Sequence, residues 1–230
     1  MADIAANYQR VMETIRGAAE RCGRDPTEIK LLAASKSQGV AEIRAALRAG
    51  IRLFGENYVQ EAKIKKEAIE ESVEWHMIGH LQRNKVKAAL DLFSVIQSLD
   101  SLELAQALNK EGKKRGQVVR TFIEVNLGDE LTKSGLSRER LVSFLEGVGE
   151  LSHLRVEGLM GIPPFREDPE EVRPYFRALR ELRAELAILR ISNVELRELS
   201  MGMTHDYPVA IEEGATMVRI GTAIFGERKR

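Results

Sequence analysis

The first stretch of the sequence with a residue that could react with a substrate is residues 30–36, which has a lysine at each end. Residues 30–36 read Lys-Leu-Leu-Ala-Ala-Ser-Lys, a short apolar run that is typical of a strand buried on both faces. Lys36 then stands where the strand ends, and in parallel α/β folds the carboxyl ends of the strands carry the chemistry. An amine partly withdrawn from water there has a lowered proton affinity and can attack a carbonyl carbon. A solvated charge that closes the strand is the alternative, and position alone favours it.

Near the other end of the chain, residues 217–226 offer a seat for a phosphate group. They read Met-Val-Arg-Ile-Gly-Thr-Ala-Ile-Phe-Gly, which predicts a strand, a Gly-Thr pair and one short helical turn. Glycine lets a ligand approach the backbone, and the N–H groups at a helix start point outward. A second Ser/Gly/Thr turn lies just upstream, in residues 199–204. If the strands close into a barrel, a phosphate ligand that bears an aldehyde would fit between these turns and Lys36.

The elements that must position these residues alternate between strand and helix along the chain. A helix capped by Asp3 and ending near Cys22 precedes the first strand, and eight strands follow with helices between them. Eight such units close as a (β/α)8 barrel, with an open doubly wound sheet as the alternative because the fourth and seventh strands are weak patterns. The predicted strands are 29–35, 51–54, 74–78, 92–96, 118–125, 154–160, 198–200 and 217–220. The predicted helices between them are 40–49, 59–70, 84–90, 101–114, 137–147, 169–186 and 206–213.

Composition places the chain among globular proteins. The 230 residues are 43% hydrophobic, and 35 basic and 35 acidic side chains give a net charge of zero, which argues against nucleic-acid or anionic-lipid binding. The single cysteine excludes an internal disulfide, and the histidines show no metal-ligand spacing. We find no signal peptide and no apolar run of about 20 residues that could span a membrane. We therefore expect one cytoplasmic domain, residues 1–230, without a metal. The lysines of the run 63–66 indicate a solvated helix face.

Five motifs follow one another in a fixed order along the chain. They are Ala-Ser-Lys at 34–36, Phe-Gly-Glu-Asn-Tyr-Val-Gln-Glu at 54–61, Trp-His-Met-Ile-Gly-His-Leu-Gln-Arg-Asn-Lys at 75–85, Ser-Met-Gly-Met at 200–203, and residues 217–226. In order and spacing they resemble the motifs of the pyridoxal phosphate homeostasis protein family. The resemblance runs from about Leu31 to Gly226, and several long motifs in a fixed order make it specific. Two positions depart conservatively: Ser37 stands where the family usually has Thr, and Thr204 where it usually has Ser.

The resemblance implies a barrel like the N-terminal domain of alanine racemase, carrying pyridoxal 5′-phosphate (PLP) on Lys36 as an internal aldimine. It implies a role in buffering or delivering PLP, with effects on amino-acid and keto-acid balance, and no firm catalytic activity. PLP-dependent apoenzymes are the implied acceptors, and we expect a monomer. The cofactor-binding residues implied by the motifs are Lys36, Asn57, His80, Ser200, Met203, Arg219, Gly221 and Thr222.

The roles that the resemblance implies for the phosphate and the ring agree with elementary chemistry. Ser200, Gly221 and Thr222 would hold the phosphate, and the last two lie at a predicted helix start. Arg219 would face the pyridine nitrogen, where an always-charged guanidinium keeps the ring unprotonated. An unprotonated ring is a poor electron sink, so the sequence gives weak support to carbanion chemistry.

The remaining implied residues have plainer alternatives. Asn57 would lie near the ring substituents, or it could only cap a helix. Met203 and His80 would lie near the ring or the mouth of the site, and His80 is equally well a hydrogen-bonded rim residue. Lys133, in a loop after the fifth strand, is by default a solvated charge. Our hypothesis is that Lys133 assists cofactor transfer or binds a substrate carboxylate.

Two other classes of function could use the same lysine. A racemase-type enzyme with two bases needs a second base, usually a tyrosine from a separate β domain, and the sequence ends a few residues after Gly226. A Schiff-base aldolase acting on sugar phosphates needs a carboxylate or tyrosine deep in the barrel. A PLP carrier remains the interpretation that the motifs favour.

Overall fold

Eight parallel strands form a closed barrel in the computed structural model, which describes residues 2–128 and 135–227. Each strand pairs with the next along the chain, and the first pairs with the last in register, Ala33 opposite Ile220. The predicted (β/α)8 barrel is confirmed, and the open-sheet alternative is wrong. The strands are β1 (Lys30–Ala34), β2 (Leu53–Glu56), β3 (Glu74–Met77), β4 (Val95–Leu99), β5 (Val119–Asn126), β6 (Leu154–Ile162), β7 (Val194–Met203) and β8 (Met217–Ile220).

Helices alternate with these strands and cover the outside of the barrel. In the described part of the chain, no helix has the length and apolar character needed to cross a membrane. The helices are α1 (Ile4–Arg21), α2 (Val40–Arg48), α3 (Val59–Ala68), α4 (Val86–Leu92), α5 (Leu102–Arg115), α6 (Arg138–Gly149), α7 (Arg173–Ala187), α8 (Tyr207–Glu212) and α9 (Thr222–Phe225). Short 3-10 turns occupy Pro26–Glu28, Arg83–Lys85 and Pro169–Val172.

Helix α1 covers the part of the barrel that α9 is too short to cover. Asp3 caps it, because one carboxylate oxygen accepts a hydrogen bond from the backbone N–H of Ala6 at 3.0 Å. Its buried side chains include Val11 and Ile15, and it contacts α2, α8 and α9. The side-chain amide of Asn7 donates to the carbonyl oxygen of Ile224 at 2.9 Å. The N-terminal helix therefore packs against α2, α8 and α9, the last of which follows β8.

Two apolar cores follow from the alternation of side chains along each strand. The outer core lies between the strands and the helices, where the rings of Phe54 and Trp75 stack with centroids 5.1 Å apart. The inner core fills the barrel itself with a smaller cluster. Its buried members are Leu32, Val95, Phe122, Met160 and Met217.

The strands whose sequence patterns are weakest differ most from their predicted bounds. Strand β4 was expected at 92–96 and lies three residues later, because Leu92 ends α4 and the N–H of Phe93 still bonds to the carbonyl of Ala89. Strand β7 was expected at 198–200 and spans ten residues. Charged side chains alternate along its first half and conceal it. The predicted helix 84–90 is a 3-10 turn followed by α4.

Candidate functional site

A cavity of about 290 Å³ opens at the carboxyl ends of the strands, where β1, β2, β7 and β8 come together. Barrel closure brings residues from both ends of the chain to it, as the sequence predicts. Of the residues implied as cofactor-binding, those that line the cavity are Lys36, Asn57, Met203, Arg219, Gly221 and Thr222. Ala34, Gln38, Ile78, Ile162, Thr204 and His205 complete its wall.

Lys36 lies in the turn that follows β1 and is partly buried. The next residue, Ser37, has a φ of 64°, in the left-handed region, which is unusual for a residue with a side chain. The N–H of Ser37 donates to Oε2 of Glu61 at 2.9 Å. The turn is therefore tied to α3, and Lys36 lies at a sharp change of chain direction beside the cavity.

A buried ion pair fixes the backbone just before Lys36. Lys65 Nζ lies 2.7 Å from Oε1 of Glu56 and donates to the carbonyl oxygen of Ser35 at 2.8 Å. Burial raises the pKa of the Glu56 carboxyl, while hydrogen bonds from Lys65 and Ser35 lower it. Lys65 is only 4% exposed, so the interpretation of 63–66 as a solvated face is wrong at this residue. The pair joins β2, α3 and the end of β1 next to Lys36.

Arg219 forms the floor of the cavity and is 4% exposed. Its Nη1 donates to Oγ of Ser200 at 2.8 Å, and its Nη2 donates to the carbonyl oxygen of Gly161 at 2.9 Å. Burial lowers the pKa of Arg219 to about 10, against the opposing effect of the negative charges of Asp206 and Glu124. The guanidinium is therefore charged at neutral pH and held by two hydrogen bonds.

Small and hydroxyl-bearing residues from β7 and α9 form one wall of the cavity. A Cβ at Gly221 would lie 3.3 Å from the carbonyl oxygen of Ala34, so glycine keeps this wall open. Oγ1 of Thr204 accepts a hydrogen bond from the N–H of Ala223 at 3.3 Å. Thr222, the first residue of α9, contributes a second hydroxyl. Gly221 and Thr222, two of the residues predicted to bind a phosphate, therefore lie on the same wall as Thr204.

Ser200 lies beneath the cavity and does not line it. Its hydroxyl is fully buried, donates to Oε1 of Gln97 at 2.6 Å and accepts from Arg219. The resemblance implies that Ser200 holds the phosphate, while Thr204 lies in the predicted Ser/Gly/Thr turn at 199–204 and is given no role of its own. The structure brings Thr204 to the cavity wall, four residues further along the same strand and turn. The hydroxyl it offers was visible in the sequence, but its position was not.

Asn57, Met203 and His80 occupy different places around the mouth. Asn57 lines the cavity and also a neighbouring pocket, and Tyr58, not Asn57, is the N-cap residue of α3. Gly79 makes room for Asn57, because a Cβ there would lie 2.6 Å from the carbonyl oxygen of Asn57. His80 lines only the neighbouring pockets, with its Nδ1 3.1 Å from Oδ2 of Asp100. Lys133 lies outside the described residues.

The residues around the cavity define the chemistry that it can support. The amine of Lys36 can form a covalent bond to an aldehyde carbon. Backbone and hydroxyl donors near Gly221 suit an anion, and the charged Arg219 can face a hydrogen-bond acceptor of an aromatic ring. Among the described residues, no group of three or more His, Cys, Asp or Glu side chains could hold a metal ion.

Comparisons with known proteins show the family to which the chain belongs. A sequence model of the family described as alanine racemase, N-terminal domain, matches residues 1–229. The pyridoxal phosphate homeostasis protein of Aquifex aeolicus strain VF5 is 51% identical over 221 residues, and the match covers 96% of each chain. Two solved structures are also similar along nearly the whole chain. An unknown protein from Bifidobacterium adolescentis has a TM-score of 0.91 at 35% identity and covers 96% of this chain and 94% of its own.

The second solved structure is PipY of Synechococcus elongatus PCC7942, with PLP bound. Its TM-score is 0.81 at 35% identity, and the match covers 93% of this chain and 100% of PipY. Identity of this size over nearly the full length establishes common descent as well as a common fold. The chain therefore belongs to the pyridoxal phosphate homeostasis protein family, a branch of the alanine racemase N-terminal domain family.

Proposed function

We propose that this cytoplasmic protein binds PLP, carries it covalently on Lys36 and takes part in PLP homeostasis. One observation supports the proposal above all: Lys36 and Arg219 share a single cavity with the small-residue wall at Gly221. The names of the relatives and the PLP bound to PipY point to the same ligand. The donor set fits PLP, which combines an aldehyde, a phosphate and a ring nitrogen.

The covalent attachment of PLP belongs to Lys36. Its Nζ would hold PLP by a carbon–nitrogen double bond to the aldehyde carbon, with the release of water. The hydrogen bond from Lys65 to the carbonyl of Ser35 holds the preceding backbone in place. A fixed backbone limits the positions of Nζ and so favours one attack geometry.

The other residues of the cavity bind the phosphate and the ring of PLP. Thr204, Gly221 and Thr222 hold the phosphate, while Ser200 lies beneath the cavity and contacts Arg219 instead. Arg219 donates to the ring nitrogen. Asn57 and Met203 lie beside the ring, and His80 lies beyond the mouth.

Carriage of PLP without turnover is the function that Arg219 favours. Bound PLP stabilises carbanions when its ring nitrogen is protonated, because the ring then accepts electrons. A buried, charged guanidinium at that nitrogen keeps it unprotonated and removes most of this capacity. We therefore propose a monomeric carrier that gives PLP to PLP-dependent apoenzymes and has no firm catalytic activity of its own.

The test compares delivery with turnover. Purified protein loaded with PLP is mixed with an apo form of a PLP-dependent enzyme, and the recovery of that enzyme's activity is measured. We expect recovery from the wild type and none beyond the free-PLP control from Lys36→Ala. The same preparations are incubated with L-alanine and D-alanine. If the protein racemises alanine and this activity depends on Lys36, the protein is a racemase-type enzyme and the proposed carrier function is wrong.

A further inference from the structure

A continuous chain of side-chain hydrogen bonds crosses the barrel interior below the cavity. Arg219 Nη1 donates to Oγ of Ser200 at 2.8 Å, and Ser200 Oγ donates to Oε1 of Gln97 at 2.6 Å. Nε2 of Gln97 lies 2.7 Å from Nδ1 of His76, and Nε2 of His76 lies 3.1 Å from Oε1 of Glu74. The chain thus runs from the cavity floor to the amino-terminal end of β3, where Glu74 is 43% exposed.

The carboxylate of Glu74 fixes the direction of the bonds nearest to it. An ionised carboxylate only accepts, and the hydrogen bond from His76 lowers the pKa of Glu74 to about 2. Nε2 of His76 therefore carries the proton. Burial lowers the pKa of His76, the hydrogen bond and charge of Glu74 oppose that effect, and the positive charges of Arg120 and Lys30 add to it. The ring is neutral, and its Nδ1 is a lone-pair acceptor.

The rest of the chain follows from this tautomer. Since Nδ1 of His76 accepts, the side chain of Gln97 must present its amide N–H₂ to His76 and its oxygen to Ser200. The Ser200 hydroxyl then donates to Gln97, and its lone pairs face Nη1 of Arg219. All these groups except Glu74 are buried, so each hydrogen bond acts in a medium of low polarity.

We propose that Gln97, His76 and Glu74 are positioning residues for Arg219. This chain of hydrogen bonds orients the Ser200 hydroxyl so that its oxygen accepts a hydrogen bond from Arg219. With Nη1 on Ser200 and Nη2 on Gly161, the guanidinium has one fixed orientation. Its other donors would then face the ring nitrogen of bound PLP. This inference rests on the proposed function, because it assigns to residues remote from the cavity the control of a group that touches PLP.

The first test needs no cofactor. Nitrogen-15 NMR of the imidazole rings in the PLP-free protein reports which nitrogen of His76 carries the proton. We expect the neutral Nε2–H form across neutral pH. A neutral Nδ1–H form would reverse the direction of the hydrogen bonds between His76 and Ser200, and it would overturn the inference whatever the variants show.

The second test removes the middle of the chain. Gln97→Met keeps the side-chain length but no amide, and we expect PLP to bind about tenfold more weakly, with a shifted absorption maximum, because Ser200 and His76 lose their partner. Ser98→Ala is the matched control: Ser98 is the next residue on β4, is buried, and its hydroxyl has no partner among the described residues. We expect the control to bind PLP as the wild type does.

A conservative variant separates positioning from stability. In Gln97→Glu, one carboxylate oxygen can still accept the hydrogen bond from Ser200. The other oxygen faces Nδ1 of His76 and needs a hydrogen-bond donor there. We therefore expect both ring nitrogens of His76 to be protonated in this variant. NMR should show this doubly protonated ring, and the absorption maximum should lie closer to the wild type than that of Gln97→Met. If the network only stabilises the fold, the variants should have lower unfolding midpoints, and the absorption maximum of bound PLP should be the same in all of them.

The outcomes also separate this inference from the proposed function. A wild-type protein that binds no PLP overturns both. A wild type that binds PLP on Lys36, together with a folded Gln97→Met variant of unchanged affinity and unchanged absorption maximum, overturns the positioning role alone.

Discussion

Gly221 shows how one absent side chain keeps the cavity open. Its φ is −110°, outside the left-handed region, so positive φ is not what requires a glycine there. A Cβ would instead crowd the carbonyl oxygen of Ala34 at 3.3 Å, on the wall proposed to seat the phosphate. Gly221 also lines the cavity, so a side chain there would narrow the proposed phosphate site.

Gly221→Ala should weaken PLP binding and leave folding nearly intact. The added methyl group narrows the wall proposed to bind the phosphate, so we expect the Kd to rise about tenfold, which corresponds to about 1.4 kcal/mol of binding free energy. Gly17→Ala is the control, because a Cβ in that α1 position meets only Arg21 Nη1, at 3.7 Å. Absorbance titration with PLP measures both variants. If Gly221→Ala and the wild type bind PLP with equal affinity, the phosphate does not bind at this wall.

At the same scale, the sequence located the residues at the strand ends better than those inside the barrel. Lys36, Arg219 and Gly221 lie in recognisable motifs, and they share the cavity. His76 and Gln97 lie within buried strands, where a polar residue carries no sign of the partner that it will meet. Gln97 on β4 contacts His76 on the neighbouring β3 and Ser200 on β7 across the barrel, and both pairings depend on strand register, which local patterns do not encode.

Helix α1 is the element whose role is least expected from its place in the chain. It precedes β1, yet it packs beside α8 and α9 and completes the outer layer next to the closing strands. The four residues of α9 leave this part of the barrel to α1. The apolar stripe of α1 was visible in the sequence, while the surface it covers was not.

Ile15→Ala should therefore destabilise the whole barrel. Ile15 is fully buried in α1, and truncation of such a side chain costs about 2–5 kcal/mol. Glu13→Ala, an exposed position of the same helix, should change the free energy of unfolding by less than about 0.5 kcal/mol. Urea unfolding followed by circular dichroism gives both values. If Ile15→Ala behaves like Glu13→Ala, α1 does not serve as an outer helix of the barrel.

Strand bounds show where local patterns suffice at the level of elements. β8 was predicted within its observed bounds because an apolar run is bordered by turn residues on both sides. β7 was predicted far too short, since Glu195 and Arg197 interrupt its apolar pattern. Their charges reach the surface while neighbours such as Leu196 are buried, an arrangement that only the complete barrel makes clear.

Closure of the barrel is the property of the whole molecule on which the proposed site depends. β1 pairs with β8 over four positions, from Lys30 opposite Met217 to Ala33 opposite Ile220. That pairing places Lys36 beside residues almost two hundred positions away in sequence. An open sheet with the same elements would separate them at opposite edges. The eight-fold alternation of strand and helix made this closure predictable.

Attachment of PLP to Lys36 is tested most directly by reductive trapping. The protein is incubated with PLP, reduced with borohydride, digested and mapped by mass spectrometry, alongside Lys36→Ala and the control Lys63→Ala at an exposed lysine of α3. We predict one reduced adduct, on the peptide that contains Lys36, with loss of the absorption band, and the adduct should persist in Lys63→Ala and vanish in Lys36→Ala. An adduct spread over exposed lysines, or one retained in Lys36→Ala, would contradict the proposed site.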